Sequence, residues 1–340
     1  MMSRTQRRLS SFVVVIIVLL AIVPALRAQV DSVAEFESTS VPVSTPYPSG
    51  SEVDTTYLYE DFTVFTLRSK VAGNPLPFEG YDPCCSDVRW GRAAAVGGVL
   101  TALVTGIHIY QQNAWWKDQR TSFHFVNDPE YALNVDKAGH VLGGAFGSFL
   151  GQKSLEWSGF SRDASVWGGF AMGALFELYV EFEDGFARDW GFSPGDAIAD
   201  VAGALWPVAQ AYVPYAEHVQ PKFSYWPSKA LRDGTHKGNA IDDYEGQTYW
   251  LGLHVEGLLP SSLKPYWPDW LGIAVGVSIR DMEQWDNRTR NIILALDYDM
   301  TKLPGDGWFL HALKQALNYI HFPAPAIRIS PNYVAYGFYF

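Results

Sequence analysis

The residues of this chain whose types and spacing could do chemistry gather between Asp136 and Gly203. Asp136 and His140 stand four apart, so they share one face of a helix. Glu177, Glu181 and Asp184 follow at steps of four and three, and Asp196 and Asp200 repeat the step of four. A histidine among several carboxylates can ligate Zn, Mn or Fe, and the oxygens alone suit Mg or Ca. The same set can exchange protons as general acid and base. His140, Glu181 and Asp196 are the candidate catalytic residues, and with Asp184 and Asp200 they form the candidate metal ligands. Asp136, Lys137 and Ser193 complete a polar cluster. Lys137 can offset a phosphate or carboxylate. Asp136 also suits the first turn of a helix, where an acid meets the dipole. Ser193 precedes Pro194 and reads as an N-cap, since no Gly-x-Ser-x-Gly elbow surrounds it. The donor set leaves the cofactor open, with a divalent metal as the candidate.

Helices must carry these stripes, and small residues punctuate them. Gly139, Gly143, Gly147 and Gly151 recur at every fourth position, as do Ala94, Gly98, Ala102 and Gly106, and Gly169 with Gly173. An interior glycine costs roughly 1 kcal/mol against alanine in a water-exposed helix. In lipid, such stripes let helix backbones approach closely. The pattern predicts helices over Asp87 to Trp116, Asp136 to Trp157, Asp163 to Phe186 and Pro194 to Ala211. Ala93 to Tyr110 hold no Asp, Glu, Lys or Arg, and Trp115, Trp116 and Lys117 read as an interface anchor.

This stretch resembles the YfiM-like family of bacterial envelope proteins and, more distantly, VanZ-like membrane proteins. The resemblance rests on Asp136-Lys137-x-x-His140, Glu181-x-x-Asp184-Gly185-Phe186, and Trp190-Gly191-Phe192-Ser193-x-Gly195-Asp196-x-x-x-Asp200-x-x-Gly203. The approach FHFVNDPEYALNVDK, Phe123 to Lys137, is similar as well. Asp200 stands where the family often has Asn, and Asp184 where the VanZ-like pattern more often has Gln. Both make this cluster more acidic. The resemblance implies a place in the cell envelope and no established activity.

Composition agrees with an envelope setting. Of 340 residues, 48% are hydrophobic, 18% charged and 15% aromatic, including 13 Trp and 18 Tyr. Trp and Tyr gather at membrane interfaces. Arg4, Arg7 and Arg8 before the apolar run Phe12 to Leu26 read as an export signal cleaved after Ala28, or as an uncleaved anchor. Without residues 1–28 the chain carries 21 basic and 36 acidic residues, a formal net charge of −15. No basic patch with interleaved aromatics exists, which argues against nucleic acid as a partner. Cys84 and Cys85 are adjacent and offer neither a disulfide framework nor a metal motif.

Residues 29–86 read as a flexible linker and irregular region, with Phe62 to Leu67 as a possible strand. After Pro214 the texture turns to strands: YWLGLHVEG, WLGIAVGVSI, NIILALDYDM and NYVAYGFYF, interrupted by a short helix from Trp308 to Ile320. Val334, Tyr336, Phe338 and Phe340 alternate onto one face, resembling the C-terminal signal of outer-membrane proteins. Four or five strands are too few for a closed single-chain barrel.

The expected fold is α+β: a Gly/Ala-rich four-helix membrane-type core over 87–214, then a small antiparallel β-rich region over 215–340. The expected setting is the exported envelope, with the outer membrane favoured, and the partners are membrane lipids and an envelope protein. Three roles suit the cluster: a buried network that fixes helix packing in a structural or partner-binding protein, a metal-dependent or acid–base enzyme acting on a lipid-linked substrate, and a proton or ion path.

Overall fold

The structure is a computed structural model that describes residues 86–340 apart from 129, 237–239, 283, 285–286 and 306–307. The export signal, the linker, the strand over Phe62 to Leu67 and the cysteine pair lie outside the described residues. The architecture is α+β, with helices followed by a six-stranded antiparallel sheet. The helices longer than four residues are α1 (Trp90–Asn113), α2 (Val135–Ser158), α3 (Arg162–Asp184), α4 (Pro194–Ala204), α5 (Trp206–Tyr212) and α6 (Trp308–Leu317). The strands are β1 (Val219–Tyr225), β2 (Gln247–Leu253), β3 (Leu271–Arg280), β4 (Thr289–Tyr298), β5 (Ala324–Ser330) and β6 (Val334–Tyr339), ordered β1 to β6 as a meander.

The described chain divides into two compact units. One holds residues 86–109 with Gly151–Gly168, and the other holds Tyr110–Leu150 with Gly169–Phe340. In the first unit, α1 is the one helix among the described residues that is long and apolar enough to cross a membrane. Val99 and Leu103 are more than half exposed, and a Cβ added at Gly97, Gly98 or Gly106 would meet nothing within 4 Å. Among the described residues, nothing packs against these glycines of α1. Gly159 ends α2 at φ +89°, the left-handed conformation glycine adopts readily.

In the second unit the glycines of α2 do pack. A Cβ on Gly144 would lie 2.3 Å from the Asp200 carbonyl, and one on Gly203 would lie 2.1 Å from the Val141 carbonyl. On the α3 side, a Cβ on Gly173 would lie 2.6 Å from the Ser148 nitrogen. Backbone thus meets backbone, and this draws the polar faces of α2, α3 and α4 together. The expected fourth helix is broken at Leu205, because Pro207 has no N–H to donate and its ring excludes a continuous helix. Just before α2 the chain makes an unusual turn, with Ala132, Leu133 and Asn134 all left-handed at φ 44°, 52° and 63°. Ala132 and Val135 are fully buried against Tyr249 and Ile279 of the sheet, and Arg290 Nη1 donates to the Leu133 carbonyl at 3.1 Å.

β1 and β5 escape the sequence pattern. β1 contains Pro221 and the buried polar pair Gln220 and Lys222, and β5 is seven residues with Pro325 inside it. Four strands were legible and six are present among the described residues. One face of the sheet carries Trp250, Ala274, Ile293, Ala295 and Ala326. On that face His321 stacks on Trp250 at 3.9 Å, and the buried ion pair Lys222–Asp297 closes at 2.7 Å. The predicted alternation of β6 fails, because its pairing slips: Tyr336 opposes Ala326 while Tyr339 opposes Ala324. Tyr339, rather than Phe338, packs against Trp250, and Phe338 is 73% exposed.

Candidate functional site

The cluster lies wholly within the second unit. Asp136, Lys137 and His140 come from α2, Glu177, Glu181 and Asp184 from α3, and Asp196 and Asp200 from α4. Ser193 caps α4 as expected, accepting from the Asp196 nitrogen at 3.2 Å, with Pro194 at the first helical position. Its hydroxyl also donates to Asp128 at 2.9 Å, and its own N–H donates to Glu181 Oε2 at 3.1 Å. One cap thereby ties the loop, α3 and α4 into a frame. The end of α3 is held by Glu183, buried against Arg120 at 2.5 Å, and by Trp116, whose indole N–H donates to Asp184.

His140 sits between two carboxylates of α4. Its Nδ1 is 2.8 Å from Asp200 Oδ1, and its Nε2 is 3.6 Å from Asp196 Oδ1. Burial alone would lower the imidazole pKa, but the Asp200 hydrogen bond and the Asp196 charge outweigh it and raise it to about 9. Lys137 is pinned by three carboxylates: Asp196 at 2.7 Å, Asp136 at 2.9 Å and Asp128 at 3.0 Å. Burial opposes its charge, but those partners raise its pKa. Lys137 is therefore committed to the cluster's own acids rather than held out for a substrate phosphate.

The acids respond to burial and to one another. Burial lifts Glu177 to about 7, with the Asp200 charge adding to the lift. Burial lifts Glu181 to about 8 despite the neighbouring His140. Asp184 rises to about 6 for the same first reason, with the Trp116 hydrogen bond opposing. Asp136 and Asp200 are also raised by burial, whereas Lys137 and Ser193 outweigh burial at Asp128 and lower it. Charge is unbalanced: seven carboxyl groups face two cationic side chains, Lys137 and His140. Such a cluster is neutralised by protons or by cations.

Three donor sets have ligand atoms all within 4.8 Å of one another: His140–Glu177–Asp200, His140–Glu181–Asp196 and Asp128–Asp136–Asp196. The Lys137 ammonium bonds all three members of the third set. A cation there would displace it. The two sets built on His140 remain.

All the sequence-derived candidates meet at this site, Asp184 at its margin through Trp116. Asp128 was not singled out in the sequence, Glu177 was noted on its helix stripe without a role, and Trp116, expected as an interface anchor, is instead buried with its indole N–H on Asp184. Asp128 lies in a loop with no periodic signal, and Trp116 joins Asp184 across 68 positions. No protein-family model, curated protein or solved structure matches this chain.

Proposed function

We propose that this is a membrane-associated protein of the bacterial envelope whose His140–carboxylate cluster binds a divalent cation and performs acid–base chemistry on a lipid-linked substrate. The observation that carries this is the divided environment of His140. Asp200 holds the Nδ1 side, which turns Nε2 towards Asp196 and Glu181. Metal-bound histidines characteristically donate their other ring N–H to a carboxylate in this way. Glu181 has one oxygen oriented by the Ser193 N–H, which leaves its second oxygen for a cation, and Asp196 Oδ1, the oxygen nearest Nε2, is shared with Lys137 at 2.7 Å. His140, Glu181 and Asp196 are then the ligands. Such a cation acidifies water or polarises an ester oxygen. Glu177, lifted to about 7 by burial, is suited to accept and return the proton. The apolar α1 supports association with a membrane, and the family resemblance supports the envelope, with the outer membrane favoured.

A second role has its own observation. The three bonds of Lys137 and the double role of Ser193 suit a network that fixes helix packing in a structural or partner-binding protein. One experiment separates the two. The full chain, purified in detergent, is analysed for bound Zn, Mn and Fe and titrated with each by calorimetry, beside His140→Gln. Stoichiometric binding lost in the variant is the expected result. A parent that binds no divalent cation overturns the cation site and leaves the packing network.

A further inference from the structure

The sheet has a second face whose side chains run against the pattern of a water-soluble fold. Along β4, Ile292, Leu294 and Leu296 point outward at 38%, 46% and 37% exposure, while Ile293 and Ala295 between them and Asn291 and Asp297 at either side are buried. Antiparallel sheets with one solvated face normally send polar residues out and apolar ones in. The register carries this outward aliphatic band across the strands: Leu251 opposes Val275, Val275 opposes Leu294, Leu294 opposes Ile327, and Ile273 opposes Leu296. Each of these side chains is between 37% and 49% exposed. The opposite face takes the charge, with the buried Lys222–Asp297 pair.

The surroundings narrow what covers this face. At one end, Phe223, Tyr249, Val277 and Ile279 are packed by Ala132, Val135 and Ala138, so that end is already occupied. At the other end, Leu271 opposes Tyr298, Trp270 stacks on Tyr298 at 6.2 Å, and Tyr266 is 85% exposed with Lys264 close by in sequence. Aromatic residues beside lysine at the rim of an aliphatic band match a head-group layer next to acyl chains. A second copy of the chain fits less well. Side chains this few, each less than half exposed, offer well under the roughly 800 Å² per partner of a stable dimer. Depth also discriminates. Ile273 to Val277 span about 13 Å at roughly 3.3 Å per residue, less than half of a ~30 Å hydrocarbon core.

We infer that the aliphatic face of β2–β5 inserts into one leaflet of a phospholipid membrane, with Trp270 and Tyr266 at the head-group level. This draws on the proposed membrane association only for proximity, and it stands or falls separately from the cation site. The test uses the full chain with Cys84→Ser and Cys85→Ser, carrying a nitroxide at Leu294→Cys or, on a different strand, at Ile327→Cys. Each protein is reconstituted into vesicles of phosphatidylethanolamine and phosphatidylglycerol. Collisions with oxygen and with a water-soluble nickel chelate are then read by paramagnetic resonance. Oxygen collisions exceeding nickel collisions severalfold at both positions, with the reverse at an exposed control label on Thr235→Cys, is the expected result. Free access of the nickel chelate at 294 and 327 would overturn the inference, because the face would be in water. Exclusion of both reagents would also overturn it, because protein would be covering the face.

Discussion

His140 Nδ1 lies 2.8 Å from Asp200 Oδ1, and this contact decides which ring nitrogen faces Asp196 and Glu181. Asp200→Asn retains a hydrogen-bond acceptor and removes the charge. The His140 pKa, about 9 in the parent, should fall in this variant. Cation affinity should drop about 10- to 100-fold, the usual cost of losing an outer-shell carboxylate. Proton NMR titration of the imidazole and calorimetry with Zn check both statements. An unchanged affinity would detach Asp200 from the site.

Gly203 and Gly98 should answer mutation in opposite ways. Gly203→Ala places a methyl 2.1 Å from the Val141 carbonyl, so α2 and α4 must part. A loss of about 1–3 kcal/mol of stability is expected, with weakened cation binding. Gly98→Ala meets nothing within 4 Å and should be neutral or stabilising by up to about 1 kcal/mol. Thermal unfolding in detergent distinguishes them.

Lys222 and Asp297 form a fully buried pair in the sheet. Lys222→Met strands a carboxylate in the interior and should cost about 3–5 kcal/mol. Adding Asp297→Leu should recover most of that loss, since an apolar pair of similar size often replaces a buried ion pair at little cost. Denaturant unfolding of the two single variants and the double variant closes the cycle.

Acid should weaken the sheet through two histidines. Burial pulls His254 and His321 from 6.5 to about 4, with the Lys222 charge acting in the same direction on both and Asp299 opposing at His254. The folded pKa lies below the unfolded one. Their contribution is therefore complete above about 6.5 and is lost as pH falls towards 4. Each shift corresponds to at most about 3 kcal/mol. The fall in unfolding midpoint over that window should be smaller in His321→Gln than in the parent. Equal falls would remove His321 from the acid response.

The site was more legible than the sheet, for a physical reason. Steps of three and four place Asp136 with His140 and Asp196 with Asp200 on helix faces, and burial then forces the faces together. The Ser193 cap was readable because capping is local. Asp128 and Trp116 were not, since their contacts depend on how distant segments close. The small-residue repeats looked alike in the sequence, yet Gly173 meets backbone while Gly98 meets nothing among the described residues. Spacing reports that close approach is permitted, and it does not report whether a neighbour arrives. β1 was hidden by the buried Lys222, and the face of β6 by a slipped register that no alternation rule anticipates.

The left-handed turn at Ala132, Leu133 and Asn134 acts as a spring clip. Each such residue costs roughly 1–2 kcal/mol, so the turn persists only while Tyr249 and Ile279 keep Ala132 and Val135 covered. Tyr249 also touches α2 directly: a Cβ on Gly139, one residue before His140, would sit 2.8 Å from its hydroxyl. Any displacement of β2 against α2 would therefore unload the clip and shift the helix start that carries Asp136, Lys137 and His140. The sheet and the carboxylate cluster are thus mechanically geared, and a force applied to one is felt by the other within a single residue of the imidazole.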